Sequence, residues 1–181
     1  MLILGIDPGS IKMGWGIIDA NKKQQKSQRI ASGFISIRAT TLPEKLGIIF
    51  KQLSAIIKEY QPEQVAIESV FMNKNADSAL KLGQARGAAI CAAVDQGLTV
   101  FEYSPREVKQ AVVGNGGAVK EQVQHMVKLL LSLEASLQAD EADALAIALC
   151  HGHTNTTLIS MAGKTKNRAN KRWTAAALKG L

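Results

Sequence analysis

The chain has 181 residues, of which 46% are hydrophobic and 20% charged. That length suits a single domain that buries its apolar surface without disulfide or metal staples. No stretch approaches the roughly 18 to 20 consecutive apolar residues of a membrane span, and the N-terminus lacks the features of a secretory signal. We therefore expect a soluble, cytoplasmic protein.

The net charge of +7 is concentrated near the C-terminus. No Asp or Glu follows Asp143, whereas six basic residues do: Lys164, Lys166, Arg168, Lys171, Arg172 and Lys179. The rest of the chain has 16 basic residues against 15 acidic ones. A basic tail suits a polyanion such as nucleic acid. A solvated tail that only aids solubility is the alternative. We expect a domain over 1–154 and a basic, flexible tail over 155–181.

Hydrophobic periodicity and turn residues predict five strands and five helices. The strands are predicted at 2–7, 14–19, 29–37, 64–68 and 98–103. The helices are predicted at about 41–60, 76–95, 105–114, 119–133 and 139–150. Strands early and helices late predict an α/β fold, with a five-stranded mixed sheet flanked by helices.

The helix predicted over 76–95 is apolar around much of its circumference, because small residues recur on several of its faces. One neighbour cannot cover such a helix. Either it is sandwiched inside the domain, or one face pairs with its copy in a symmetric dimer. Cys91, on this helix, and Cys150 fall in apolar helical patterns, so we expect two buried thiols.

Asp7 and Glu68 each close a short apolar strand. An ionised carboxylate at such a position costs several kcal/mol unless a cation or hydrogen-bond donors compensate it. Each residue alone also has an ordinary explanation, Asp7 as a turn residue before Pro8 and Gly9, and Glu68 as a solvent-facing strand end. Taken singly, neither carboxylate predicts a site.

Asp140 and Asp143 are three residues apart at the start of a predicted helix, so their side chains lie on one face. Glu141, between them, points elsewhere. Acidic residues in a first helical turn also interact favourably with the helix dipole, which would explain either aspartate without any function.

Together, two strand-end acids and the helical pair can converge at one edge of the sheet. Carboxylates about 4 Å apart near a surface repel by something like 4 kcal/mol, so a cluster persists only with bound protons or metal. Oxygen ligands favour Mg²⁺ or Mn²⁺. Two such ions suit phosphodiester hydrolysis, which is the reaction we expect.

Four ordered segments resemble the RuvC family of bacterial Holliday junction resolvases. They are GIDPGS at 5–10, AIESVFMNKNADSALKLGQARG at 66–87, VKQAVVGNGGAVKEQVQHMV at 108–127 and QADEADALAIA at 138–148. The resemblance spans about residues 1–153. It implies an RNase H-like fold and a homodimer that cuts four-way DNA junctions by two symmetric nicks. It also implies RuvA and RuvB as partners.

The resemblance also implies roles for individual residues. Asp7, Glu68, Asp140 and Asp143 would hold the metal, two Mg²⁺ ions with Mn²⁺ able to substitute. Lys109 and Lys120 would assist catalysis and contact DNA, although as residues they are simply exposed cations. Phe71 would stack on a base near the crossover, with Lys74 beside it in the DNA-contacting loop; capping the core is the commoner role of a loop phenylalanine.

The chain departs from the family pattern at Glu141, where a small residue is usual, and at Ser69. An extra acid at 141 could alter metal preference. His125, His151 and His153 have no matching ligand spacing and are expected to be structural or solvated. The basic tail, including Trp173, aligns poorly with the family.

Two other functions need weighing against a nuclease. An actin-like ATPase also uses an aspartate and a glycine turn at a strand end, but it needs a second duplicated domain for which 181 residues leave no room. The glycine-rich segment 114–120 lacks the Walker spacing of a phosphate-binding loop. A noncatalytic DNA-binding protein would bind junctions without metal-dependent nicking.

Overall fold

The structure is a computed structural model that describes residues 1–21, 26–69, 75–134 and 137–154. Two of the predicted DNA-contacting residues, Phe71 and Lys74, and the predicted tail 155–181 lie outside the described residues. Among the helices that are described, none is long and apolar enough to cross a membrane.

A five-stranded mixed sheet forms the centre of the fold, with the strand order β3-β2-β1-β4-β5. Antiparallel pairing joins β1 to β2 and β2 to β3, whereas β1, β4 and β5 run parallel. The strands are β1 (Leu2–Asp7), β2 (Lys12–Asn21), β3 (Lys26–Ser36), β4 (Gln64–Glu68) and β5 (Thr99–Tyr103). The α/β class and the mixed sheet predicted from the sequence are confirmed.

Helices cover both faces of the sheet. They are α1 (Leu42–Tyr60), α2 (Ala76–Asp95), α3 (Pro105–Val113), α4 (Lys120–Leu130) and α5 (139–154). One apolar cluster joins the sheet to α1 and α2, and a second joins it to α3, α4 and α5. Alternate residues of β1 supply the two clusters, with Ile3 in one and Leu4 in the other, because successive side chains of a strand face opposite ways.

Most element boundaries follow the sequence signals closely. Thr41 and Glu44 form the predicted capping box of α1, and Ser104 and Glu107 form the one that begins α3. The hairpin of β2 and β3 is longer than predicted, because ladder pairing continues beyond the apolar stretches into polar residues. Helix α4 ends earlier than predicted, before Ser132, whose φ of 52° is incompatible with a continuing helix.

Helix α2 buries one face and exposes another. Four alanines pack against the cluster that contains α1: Ala85, Ala89, Ala92 and Ala93. Cys91 lies on the opposite side and is exposed, so the expectation that it is buried was wrong. Apolar periodicity cannot distinguish a core face from a second apolar face of the same helix. Cys150 is buried as expected, and both cysteines are free.

Candidate active site

Asp7 and Glu68 lie next to each other at one edge of the sheet. Each is the last residue of its strand, and β1 and β4 are parallel neighbours in which Ile6 pairs with Ile67. The carboxyl ends of adjacent parallel strands meet at the same edge. The Asp7 side chain hydrogen-bonds to the Glu68 carboxylate, so the sheet alone assembles half of the predicted acid cluster.

Helix α5 supplies the other two acids, and glycines in the sheet let it approach. A Cβ on Gly14, the residue that pairs with Asp7, would come within 2.1 Å of the Asp140 carbonyl oxygen. A Cβ on Gly5 would come equally close to the Ala144 carbonyl oxygen, at 2.1 Å. Since both obstacles are helix backbone, α5 can lie at this depth only over glycine.

The four carboxylates interact electrostatically. Burial, and after it the negative charges of Glu68, Asp143 and Asp140, raise the pKa of Asp7 to about 8 against the opposing charge of Lys120. At neutral pH in the absence of metal, Asp7 therefore holds a proton. Its hydrogen bond to Glu68 is the bond that this proton makes.

Opposing effects act on the pKa of Glu68. Burial, followed by the charge of Asp143, raises the pKa of the Glu68 carboxyl, whereas the hydrogen bond from Asp7 and the charges of Lys109 and Lys120 lower it. The net direction is upward. A carboxylate in this position stays ionised most readily when a cation is close by.

Two lysines already neutralise the helical acids. Lys120 Nζ lies 2.5 Å from Asp143 Oδ2, and Lys12 Nζ lies 3.4 Å from Asp140 Oδ2. The hydrogen bond to Asp143 raises the pKa of Lys120. Lys12 also sits 4.3 Å from the centre of the Phe34 ring. The sequence did not predict a role for Lys12, because a lysine at the start of a strand gives no indication of which helix residue it will contact.

A cleft of about 220 Å³ opens beside the cluster. Its polar lining comprises Glu68, Asp143, Lys109 and Lys120, over an apolar floor that includes Ile147. Both predicted lysines therefore lie at the acids, although one belongs to α3 and the other to α4. Carboxylates and lysines thus line the same cleft. Such a lining suits a phosphate group that contacts both the lysines and a cation held by the carboxylates.

The donor set fits a divalent cation. Four carboxylates offer only oxygen, and the pKa of Asp7 is raised first by burial and then by the neighbouring carboxylates, both of which a bound cation would offset. As the side chains stand, no three Asp, Glu, His or Cys groups in the described residues surround a single point. The physical reason is visible at Asp140 and Asp143, since each is turned to a lysine rather than to Asp7.

Glu141 has a structural task. Its Oε2 accepts a hydrogen bond of 2.9 Å from the main-chain N–H of Gln138, which caps the start of α5. The side chain is thereby held away from the neighbouring aspartates, as the helical spacing predicted.

The buried histidine is also structural. His151 Nδ1 lies 2.7 Å from the Tyr103 hydroxyl and Nε2 lies 2.8 Å from Gln64 Oε1. These contacts tie α5 to β4 and β5. His153 is exposed, with its Nδ1 3.2 Å from the Ala111 carbonyl oxygen.

A family model described as crossover junction endodeoxyribonuclease RuvC matches residues 3–151. The chain belongs to the RuvC family. The RuvC of Pseudoalteromonas atlantica is 56% identical over 171 residues, which are 94% of this chain and 98% of that protein. The RuvC of Tolumonas auensis is 57% identical, with the same shares covered.

Solved structures agree with the RuvC assignment. The Thermus thermophilus RuvC structure superposes with a TM-score of 0.80 at 34% identity, covering 87% of this chain and 96% of that one. A second structure, of T. thermophilus RuvC in complex with Holliday junction substrate, gives a TM-score of 0.78 at 31% identity over the same shares. The predicted RNase H-like fold is confirmed.

Proposed function

We propose that this RuvC-family chain resolves four-way DNA junctions by metal-dependent hydrolysis of one phosphodiester on each of two strands. The observation that carries the proposal is the meeting of Asp7 and Glu68 with Asp140 and Asp143 beside a cleft lined by lysines. The matched T. thermophilus RuvC is described in complex with a Holliday junction substrate.

Membership of this nuclease family implies a divalent metal ion. The four carboxylates are the residues that would hold it, and we propose two Mg²⁺ ions, with Mn²⁺ able to replace them. Bound metal would supply an activated water and charge stabilisation of the leaving oxygen. The oxygen-only ligands support this choice, as does the burial of Asp7, whose carboxyl ionises readily only beside a cation.

The side chains of this chain would change partners as the site loads. Asp7 gives up the proton that it shares with Glu68, because a ligand must be ionised. Lys12 and Lys120 leave Asp140 and Asp143. The freed ammonium of Lys120, with Lys109 across the cleft, is then placed to hold a DNA phosphate.

Other DNA contacts are proposed from the sequence. Phe71 would stack on a base near the crossover, and Lys74 would contact the backbone beside it. The basic segment 155–181 would add contacts to phosphates that depend on charge alone.

We also propose that the enzyme acts as a homodimer paired through α2. Beyond its buried alanines, α2 has a second stripe at helical spacing, in which Gly87 is half-buried and the others are exposed: Leu80, Gly83, Cys91 and Val94. Leu80 is 62% exposed and Val94 is 59% exposed, so these two apolar side chains face solvent in the monomer. A second copy would cover them, and its symmetry would suit paired nicks. The cell context would be the cytoplasm, with RuvA and RuvB as partners.

Strand-resolved mapping of nicks on a mobile four-way junction tests the function. Each strand carries its own end label, and the reaction is run with Mg²⁺ and with EDTA. We expect paired nicks at symmetric positions on two strands of like polarity, only with Mg²⁺. Junction binding without nicking in Mg²⁺ would instead identify a noncatalytic junction-binding protein.

A further inference from the structure

Arg86 connects α2 to the end of β4 through two contacts. Its Nε donates a hydrogen bond of 3.1 Å to the main-chain carbonyl of Glu68, and its guanidinium forms an ion pair with the Glu102 carboxylate on β5. The Arg86 side chain is 19% exposed, whereas that of Glu102 is 55% exposed. The inner contact is therefore the one to Glu68.

We propose that Arg86 is a positioning residue that fixes the main chain of Glu68 and so aims its carboxylate at the acid cluster. This inference rests on the proposed function at one point, that Glu68 is a metal ligand. A ligand must be held within about 0.5 Å of its productive position, and supporting hydrogen bonds provide that precision.

The backbone around Glu68 shows why such a contact is needed. Glu68 is the last residue of β4, and regular pairing with β5 ends where it meets Tyr103. The next residue, Ser69, donates its N–H to the Tyr103 carbonyl over 2.8 Å. On the other side, the Glu68 carbonyl accepts from Arg86. The Glu68–Ser69 peptide group is thus held at both ends, its N–H by β5 and its carbonyl by α2.

Arg86 acts through the backbone rather than through its charge. Its Nε contacts the main-chain oxygen of Glu68, and its terminal nitrogen pairs with the Glu102 carboxylate rather than with that of Glu68. Arginine also suits the task better than lysine. Its planar fork donates to the carbonyl through Nε and to a carboxylate through the terminal nitrogens at once, which a single ammonium cannot do.

Three variants of the full chain test the inference. Arg86→Met removes both contacts, Arg86→Lys keeps a cation for Glu102 but loses the fixed donor to Glu68, and Glu102→Gln removes only the charge of the ion pair. For each, Mn²⁺ affinity is measured by calorimetry without DNA, junction affinity is measured in EDTA, and single-turnover cleavage is measured in Mg²⁺.

We expect Arg86→Lys and Arg86→Met to lose about tenfold or more in Mn²⁺ affinity and in cleavage rate, with junction affinity within twofold of the parent. Glu102→Gln is expected to stay within about twofold in all three measurements. Circular dichroism and thermal unfolding identify any variant that does not fold. If Arg86→Met fails to fold, Arg86→Lys and Glu102→Gln still decide.

Two results would overturn the inference. One is parental Mn²⁺ affinity and cleavage in Arg86→Lys. The other is an equal loss in Glu102→Gln, which would assign the effect to the ion pair as a stabilising contact. Failure of the proposed function looks different, because then the parent protein itself would neither bind Mn²⁺ at the cluster nor cut.

Discussion

The main-chain carbonyl of Asp140 lies directly over Gly14, where even a methyl group would come within 2.1 Å of the oxygen. Gly14 is the ladder partner of Asp7, so this approach brings the start of α5 onto the sheet beside that carboxylate. The position of two proposed ligands thus depends on the absence of a side chain in β2.

Replacing Gly14 with alanine is expected to damage the site more than the fold. All three atoms nearest to the new Cβ belong to the Asp140 backbone, so α5 must shift rather than a side chain. Such overpacking costs about 1–3 kcal/mol of unfolding free energy. We expect that loss in urea unfolding, together with a loss of junction cleavage of at least tenfold in protein that remains folded.

Gly47→Ala is the matched control. Gly47 lies inside α1, and a Cβ there meets no atom within 4 Å. Alanine in a helix interior is expected to stabilise the protein by about 0.5–1 kcal/mol relative to glycine and to leave cleavage unchanged. Parental activity in Gly14→Ala would show that the depth of α5 does not govern the site.

The raised pKa of Asp7 predicts how metal-free protein responds to pH. Burial and the neighbouring carboxylates hold this pKa at about 8, against an ordinary value of 3.8, so between these pH values the folded state binds more protons than the unfolded state. Stability therefore falls as pH rises through that window. From pH 6.5 to 8 in EDTA, we expect the parent to lose more unfolding free energy than Asp7→Asn.

Asp95→Asn, a change of an exposed aspartate at the end of α2, serves as the control and should follow the parent. Superimposable pH dependence in the parent and Asp7→Asn would mean that Asp7 is not protonated in the metal-free site. In the same pH range, Mn²⁺ binding by the parent should strengthen with pH and release a proton, measurable by calorimetry in buffers of different ionisation enthalpy.

Gly83 offers a test of the proposed dimer. It is exposed on α2 with no atom within 4 Å of its Cβ position, so the monomer accommodates a larger side chain. Gly83→Glu would place a charge on the stripe of α2 that we propose to be buried between two copies. We expect a dimer in the parent and a monomer in the variant by sedimentation, with native helicity in both.

Ala55→Glu provides the comparison, since Ala55 is also small and exposed but lies on α1. This variant should remain dimeric. Sedimentation of Gly83→Glu as a dimer at the parental dissociation constant would rule out pairing through this stripe of α2.

His151 should make the protein sensitive to acid. Burial lowers its pKa to about 4 from 6.5, so between these values the unfolded state binds more protons. The stability that neutral His151 provides is present above pH 6.5 and is lost as pH falls towards 4. Comparing urea unfolding at pH 6.5 and 4.5, we expect a smaller loss in His151→Gln than in the parent.

Protonation of Asp7 has the opposite effect, since it stabilises the protein as pH falls. This effect is the same in the parent and in His151→Gln, so it cancels from the comparison. His153→Gln, at an exposed position two residues away, should retain the parental pH dependence. An unchanged loss in His151→Gln would show that another group governs acid unfolding.

Local sequence signals predicted the strand ends and the helical pair of acids well. Asp7 and Glu68 follow short apolar strands, and parallel neighbours necessarily end at one edge. Asp140 and Asp143 share a face through helical spacing alone. Taken singly, each of the four has an ordinary structural explanation, so the prediction of a metal site rested on their combination and on the family resemblance.

Local sequence patterns could not predict contacts between elements that are distant in the chain. Lys12 and Arg86 reach the cluster only because α5 and α2 pack where they do, and neither residue breaks a local pattern. The exposure of Cys91 likewise depends on which apolar face of α2 meets the core. Gly14 did carry a signal, as a glycine on the same strand face as Gly16, but its meaning appears only with α5 in place.

The central claim is that four carboxylates, and not acidity in general, hold the metal that cuts DNA. The most direct test compares Asp7→Asn, Glu68→Gln, Asp140→Asn and Asp143→Asn with Glu141→Gln, which removes an acid from the same helical turn that only caps α5. Mn²⁺ binding, junction binding in EDTA and junction cleavage in Mg²⁺ are measured for all five. We expect the first four to bind junctions but to lose Mn²⁺ affinity and at least a hundredfold in cleavage, while Glu141→Gln cuts at near the parental rate. Near-parental cleavage by any of the four, or an equal loss in Glu141→Gln, would contradict the account.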